Sequence, residues 1–177
     1  EISRSLRKFL IKGLVGRCLM NNQRLFGLEW NPETTDERYT PKSVFDALGV
    51  TFDLDVASPP AEYSAVPARN VYTIEDDGLT SPWLGFVWMN PPWSQCTPWV
   101  EKFIEHGNGI ALLPAAKRSK WMIKLWDSDA SVSLYSMNQF GDFLDCRQQR
   151  SEVSYLPMFW ALGDHGKNAM RRLGRTR

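Results

Sequence analysis

Gly85-Phe86-Val87-Trp88-Met89-Asn90-Pro91-Pro92-Trp93 is the stretch from which the rest of the chain can be ordered. Its apolar half, 85–89, reads as a strand. The two prolines end it, because a residue without a backbone N–H cannot continue a hydrogen-bonded ladder. Pro98 then suits the first turn of a helix running to Glu105, with Trp99, Val100 and Phe103 on its buried side. Gly107-Asn108-Gly109 breaks that helix. Ile110-Ala111-Leu112-Leu113 follows as the unbroken apolar run of a strand covered on both faces. Strand, helix and strand in that order imply a parallel pair.

Upstream, Thr40-Pro41 opens a short helical pattern with Val44, Phe45 and Leu48 on one side, closed by Gly49. Residues 50–56 alternate apolar and polar as a strand does, until Ala57-Ser58-Pro59-Pro60 stops them. From 61 to 82 the breakers Pro67, Asn70, Gly78 and Pro82 indicate loop with one short strand at 71–74. Downstream come a helix over 117–126, a strand over 132–135 and a last strand over 155–162. This order describes one open α/β domain, 29–165, in which ligands sit at the carboxyl ends of the strands. Asp53, Asp55 and Asn90 all fall near such ends. A basic amphipathic extension, 1–28, docks on the core in this reading, and a basic tail occupies 166–177.

The chain has 177 residues, enough for one domain with a substantial core, and no apolar run long enough to cross a bilayer, so a soluble protein is expected. Its first residue, Glu1, leaves open a start inside a longer reading frame or a processed end. Cys18, Cys96 and Cys146 lie far apart and the only histidines are His106 and His165, which gives neither a zinc spacing nor a disulfide framework. Between Glu29 and Thr80 eleven acidic residues stand against three basic ones, although the net charge is only +1, so the remainder is basic. That division suits a polyanionic substrate combined with a cationic ligand, and equally two solvated faces. Lys117, Arg118 and Lys120, opening a helix just after a strand end, are candidates for phosphate contacts.

Asn-Pro-Pro-aromatic at a strand end has a specific chemical use. An exocyclic aromatic amine is a poor nucleophile because its lone pair is delocalised into the ring, and acceptors for its two hydrogens restore reactivity. The Asn90 side-chain oxygen and the Pro91 carbonyl can be those acceptors, with Pro92 stiffening the backbone and Trp93 offering a flat face to a base. Methyl transfer from a sulfonium is an in-line displacement that depends on alignment and water exclusion and requires no metal.

These blocks resemble the amino-methyltransferases with an Asn/Asp/Ser-Pro-Pro-aromatic motif, and more closely the phage-type DNA N-6-adenine methyltransferases. The similarity covers roughly 39–163. It rests on Thr40-Pro41, Phe52-Asp53-Leu54-Asp55-Val56-Ala57, Glu75-Asp76-Asp77-Gly78-Leu79, Val87 through Trp93, and Ala111-Leu112-Leu113-Pro114-Ala115 with Trp121. The resemblance implies a Rossmann-like domain, trimmed between its first strand and the Asn90 strand. It also implies S-adenosylmethionine as cofactor, double-stranded DNA as partner, extrusion of the target adenine, and a bacterial or phage-infected cytoplasm. It places Asn90, Pro91, Pro92 and Trp93 on the target amine, Thr40, Pro41 and Asp55 near the cofactor's amino-acid end, and Asp77 near its adenine. Asp53 and Ala57 complete that cofactor set.

Two features depart from the pattern: the usual Phe-x-Gly-x-Gly loop is absent, and little chain separates the first strand from that of Asn90. The motif chemistry also suits cytosine N-4, an RNA adenine or a protein glutamine amide. A nucleic-acid-binding homologue that has lost its cofactor site is a further alternative.

Overall fold

The computed structural model describes residues 38–116, 118–145, 149–151, 153 and 155–174. The extension expected over 1–28 and Lys117 lie outside them. The helix α1 (Lys42–Leu48) buries Val44, Phe45 and Leu48 as the spacing predicts. Pro41 caps it instead of sitting in its first turn, and Gly49 closes it at φ 60°. A left-handed residue is needed there to turn the chain, and glycine adopts it without steric cost.

The strands β1 (Phe52–Asp55), β2 (Ala68–Val71) and β3 (Val87–Met89) come next. They are followed by α2 (Cys96–His106), β4 (Gly109–Pro114), α3 (Lys120–Asp127) and β5 (Ser131–Leu134). A short α4 (Met137–Phe140) leads to a two-stranded β6 (Phe143–Leu144) and β7 (Arg150–Ser151). The chain returns through β8 (Pro157–Leu162) and α5 (Gly163–Met170).

The main sheet is mostly parallel, in the order β2-β1-β3-β4-β8-β5, with β8 antiparallel to both its neighbours. Alternation along β4 explains the layering. Ile110 and Leu112 point into one core with α1 and α5, whereas Ala111 and Leu113 point into a second core with α2 and α3. A strand covered on both sides has to be apolar throughout, and β4 is buried at every residue. Among the described residues no helix is long and apolar enough to cross a membrane.

Two expectations change. The strand at 71–74 is instead β2 at Ala68–Val71, a sheet edge whose residues are largely exposed, so it lacks the apolar alternation that reveals a strand. The basic tail placed at 166–177 begins as helix: α5 and the 3-10 turn Arg171–Leu173 bury Ala169, Met170 and Leu173 in the α1 core. Arg172 donates to the carbonyls of Leu48 (2.7 Å) and Gly49 (3.1 Å), satisfying the carboxyl end of α1 with a cation. Its charge therefore belongs to the fold and not to a free tail.

Candidate active site

The parallel strands β1 and β3 pair with Asp55 opposite Trp88, so the residues that follow each strand emerge at one edge of the sheet. A cavity of about 270 Å³ opens there. Asp55 to Pro59 form one wall, Arg38 to Thr40 with Asn90, Pro92 and Gln95 a second, and Asp77 to Leu79 with Thr73 and Ile74 a third. Tyr63 stacks on Tyr39 (5.5 Å between centroids, 11° between planes) and closes one side.

Asp55 is only 1% exposed. Its Oδ1 accepts from the Ala57 backbone N–H at 3.3 Å. Oδ2 has no partner, since the neighbouring Ser58 hydroxyl donates to the Pro59 carbonyl (3.0 Å). Burial pushes the carboxyl up to about 7, outweighing the Ala57 N–H and the nearby Ser58 hydroxyl, which act the other way. An unpartnered buried carboxylate oxygen is costly, and a cationic or hydrogen-bond-donating ligand in the cavity would satisfy it.

The third wall is a loop held from behind. Asp77 has φ 48°, a left-handed value that Asp tolerates better than most residues, and its Oδ1 accepts from Leu79 N–H at 3.2 Å. Gly78 passes so close to β1 that a Cβ would lie 2.0 Å from the Val56 carbonyl oxygen. Lys102, on α2, donates to the carbonyls of Gly78 (3.0 Å), Leu79 (2.7 Å) and Ser81 (2.5 Å), while its ammonium lies 5.1 Å from the Trp83 ring centroid. Asp76 accepts from both the backbone N–H and the hydroxyl of Thr73, which makes it a turn residue.

Asn90 leaves β3 with its amide fully oriented. Nδ2 donates to the Arg38 carbonyl (3.0 Å) and the Thr40 hydroxyl (3.3 Å), and Oδ1 accepts from the Trp93 indole N–H (3.1 Å). Both amide hydrogens are thus engaged. The remaining capacity is a second lone pair on Oδ1, which suits a ligand that donates, such as an amine, and not one that presents a carbonyl. The segment 38–40 that receives Nδ2 is itself anchored, by reciprocal Tyr39 and Leu144 backbone hydrogen bonds at 2.8 and 3.0 Å.

Of the residues singled out from sequence, Thr40, Asp55, Ala57, Asp77, Asn90 and Pro92 come together around the cavity. Pro41, Pro91 and Trp93 do not line it. Pro41 caps α1, Pro91 is buried behind the turn, and Trp93 packs edge-on against Phe143 (5.7 Å, 80°). Asp53 also stands apart. Its carboxylate accepts from the Phe86 N–H (2.8 Å) and pairs with Arg69 (2.7 Å), and chiefly the Phe86 bond holds its pKa below the usual carboxylate value. It ties β1 to the start of the Asn90 strand, and Gly85 makes room, since a Cβ there would meet Asp53 Oδ2 at 2.4 Å.

Arg118 and Lys120 are exposed and follow the carboxyl end of β4, on the same sheet edge as Asn90. Sequence reasoning missed the Arg38 carbonyl, Tyr39 with Tyr63, and Lys102. Only the adjacency of residues 38 and 39 to Thr40 offered a signal; Lys102 meets its loop across more than twenty residues of chain.

Searches of curated proteins and of solved structures find no match. The family model described as DNA N-6-adenine-methyltransferase (Dam) matches residues 29–155, a stretch that carries every lining residue of the cavity together with the Asn90 turn and ends before β8. With a match over more than two thirds of its length, the chain belongs to the DNA N-6-adenine-methyltransferase family.

Proposed function

We propose that this protein transfers a methyl group from S-adenosylmethionine to N6 of adenine in double-stranded DNA. In this reading the sheet, with one antiparallel strand next to its edge, is a trimmed Rossmann-like methyltransferase sheet, working in the cytoplasm of a bacterial or phage-infected cell. The observation that carries the proposal is the unpartnered, buried Asp55 oxygen in the same cavity as the oriented Asn90 amide. Asp55 would hold the cofactor's ammonium or ribose hydroxyls, with Thr40 and Ala57 beside it and Asp77 toward its adenine. A carboxylate in this position offers a contact that does not depend on the absent glycine loop.

When bound, the cofactor supplies an electrophilic methyl group on its sulfonium. The chain's own work is alignment. Asn90 Oδ1 would accept one hydrogen of the target amine; Pro91, expected from the sequence to offer the second acceptor, does not line the cavity, so the alignment rests on Asn90. The bound cofactor would supply the methyl group and keep its sulfur as a neutral thioether, and the proton released from the amine would pass to solvent, so no strong base is required of the chain. A paired base cannot reach Asn90 inside the duplex, and extrusion, at a cost of about a few kcal/mol, brings it there. Lys117, Arg118 and Lys120 would contact the flanking phosphates.

Calorimetric titration with S-adenosylmethionine tests the reading. Saturable binding by wild type, weakened at least about tenfold in Asp55→Ala, is expected, since a hydrogen bond to a charged group contributes about 1.5–3 kcal/mol. Absence of saturable binding at millimolar cofactor would favour a homologue that has lost its cofactor site.

A further inference from the structure

Of the three partners of the Asn90 amide, two have opposite and fixed character, and these set which way it points. The Arg38 carbonyl can only accept and the Trp93 indole N–H can only donate. Turning the amide by 180° would set oxygen against oxygen and N–H against N–H, losing both bonds. Arg38 faces the amide nitrogen; Trp93 is what faces the oxygen, the atom that the proposed chemistry uses.

We propose that Trp93 is a positioning residue, whose indole N–H holds the Asn90 carbonyl oxygen with its second lone pair directed to the target amine. This rests on the reading of Asn90 as the acceptor for that amine. The surroundings of Trp93 fit such a role. Its ring lies between the two cores, edge-on to Phe143, and does not line the cavity. The 3-10 turn Trp93–Gln95 is stiffened by the Gln95 N–H to Pro92 carbonyl bond (3.1 Å), and Cys96 Sγ donates to the Trp93 carbonyl (3.3 Å). A rigid turn returning three residues after Asn90 therefore delivers the donor, and Pro91-Pro92 sets its path. Any aromatic ring could pack on Phe143 or stack on a base, but of Phe, Tyr and Trp only Trp carries a ring N–H.

Trp93→Phe separates the two uses, because it keeps the aromatic face and deletes the N–H. The expected result is a kcat about tenfold lower, with KM for S-adenosylmethionine and for DNA within about threefold of wild type. Extrusion of a 2-aminopurine target, read by fluorescence, should be retained. In ¹⁵N-labelled protein the Asn90 side-chain NH₂ signals, assigned by their loss in Asn90→Ala, should shift and exchange faster with water. Site-specific benzothienylalanine at position 93, which replaces N–H by sulfur in a ring of nearly the same shape, repeats the test without the change in size and serves if Trp93→Phe folds poorly.

Wild-type kcat in either variant overturns the inference and leaves the methyl-transfer reading standing. An equal loss of kcat and of base extrusion assigns Trp93 to stacking and also overturns it. A wild-type protein that transfers no methyl group to DNA overturns the reading and the inference with it.

Discussion

Replacing Asp55 by asparagine keeps the shape of a buried side chain and removes the charge that the fold does not compensate. In the unfolded chain this carboxyl loses its proton near its ordinary value of 3.8, and in the folded protein near 7. Between those values the native state holds a proton that the unfolded state has released, so stability falls as pH rises from about 4 to 7 and stays low above that. A difference of about 3 pKa units corresponds to about 4 kcal/mol, which is an upper limit for the cost at pH 8. Asp55→Asn should therefore raise Tm at pH 8 by up to about 8–16 °C, at about 2–4 °C per kcal/mol for a domain of this size, with the gain shrinking toward pH 4.

The same substitution should weaken S-adenosylmethionine binding at least about tenfold. Wild-type affinity should also fall between pH 8 and pH 6 as Asp55 takes up its proton. Thermal unfolding across that pH range, paired with calorimetry, reads both effects. Unchanged Tm at pH 8 together with unchanged affinity would refute the assignment of Asp55 as a destabilising residue retained for binding.

Other substitutions probe the remaining walls. Asn90→Ala should abolish methyl transfer while S-adenosylmethionine affinity, measured by calorimetry, stays within a few-fold of wild type. Asn90→Asp should also lose more than about 100-fold in kcat at pH 8, because a carboxylate oxygen would face the Arg38 carbonyl in place of a donor. Lys102→Met leaves three loop carbonyls without their ammonium, so amide exchange over 77–81 should accelerate and cofactor affinity should drop several-fold. Gly78→Ala should cost more than about 2 kcal/mol in urea unfolding, since the added methyl group would press on the backbone of β1.

What could be read in the sequence were the features governed by local rules. β4 declares itself because burial on both faces demands an unbroken apolar run, and the strand end at Asn90 because two prolines cannot continue a ladder. α1 is legible through its spacing and Gly49. The strand β2 is not, since an exposed edge carries Arg69 and Asn70 where alternation would need apolar residues. The β6–β7 pair, two residues on each side, is too short for any period to show.

At the site, Asp55 and Asp53 illustrate the limit. Both lie in one alternating strand and look equivalent in the sequence, yet one is orphaned in the cavity and the other is consumed by Arg69 and the Phe86 N–H. The partners that consume Asp53 lie 16 and 33 residues away in the chain. The start of the expected basic tail, 166–173, differs from expectation for the same reason. Local charge suggested a tail, whereas burial of Ala169, Met170 and Leu173 against α1 decided a helix.

The central claim is tested most directly by nucleoside mass spectrometry. Unmethylated double-stranded DNA is incubated with the purified protein and S-adenosylmethionine carrying a deuterated methyl group, then digested to nucleosides. Deuterated N6-methyl-2′-deoxyadenosine, formed by wild type and absent with Asn90→Ala, is the predicted product. Label in N4-methyl-2′-deoxycytidine, or in no nucleoside at all, would contradict the account.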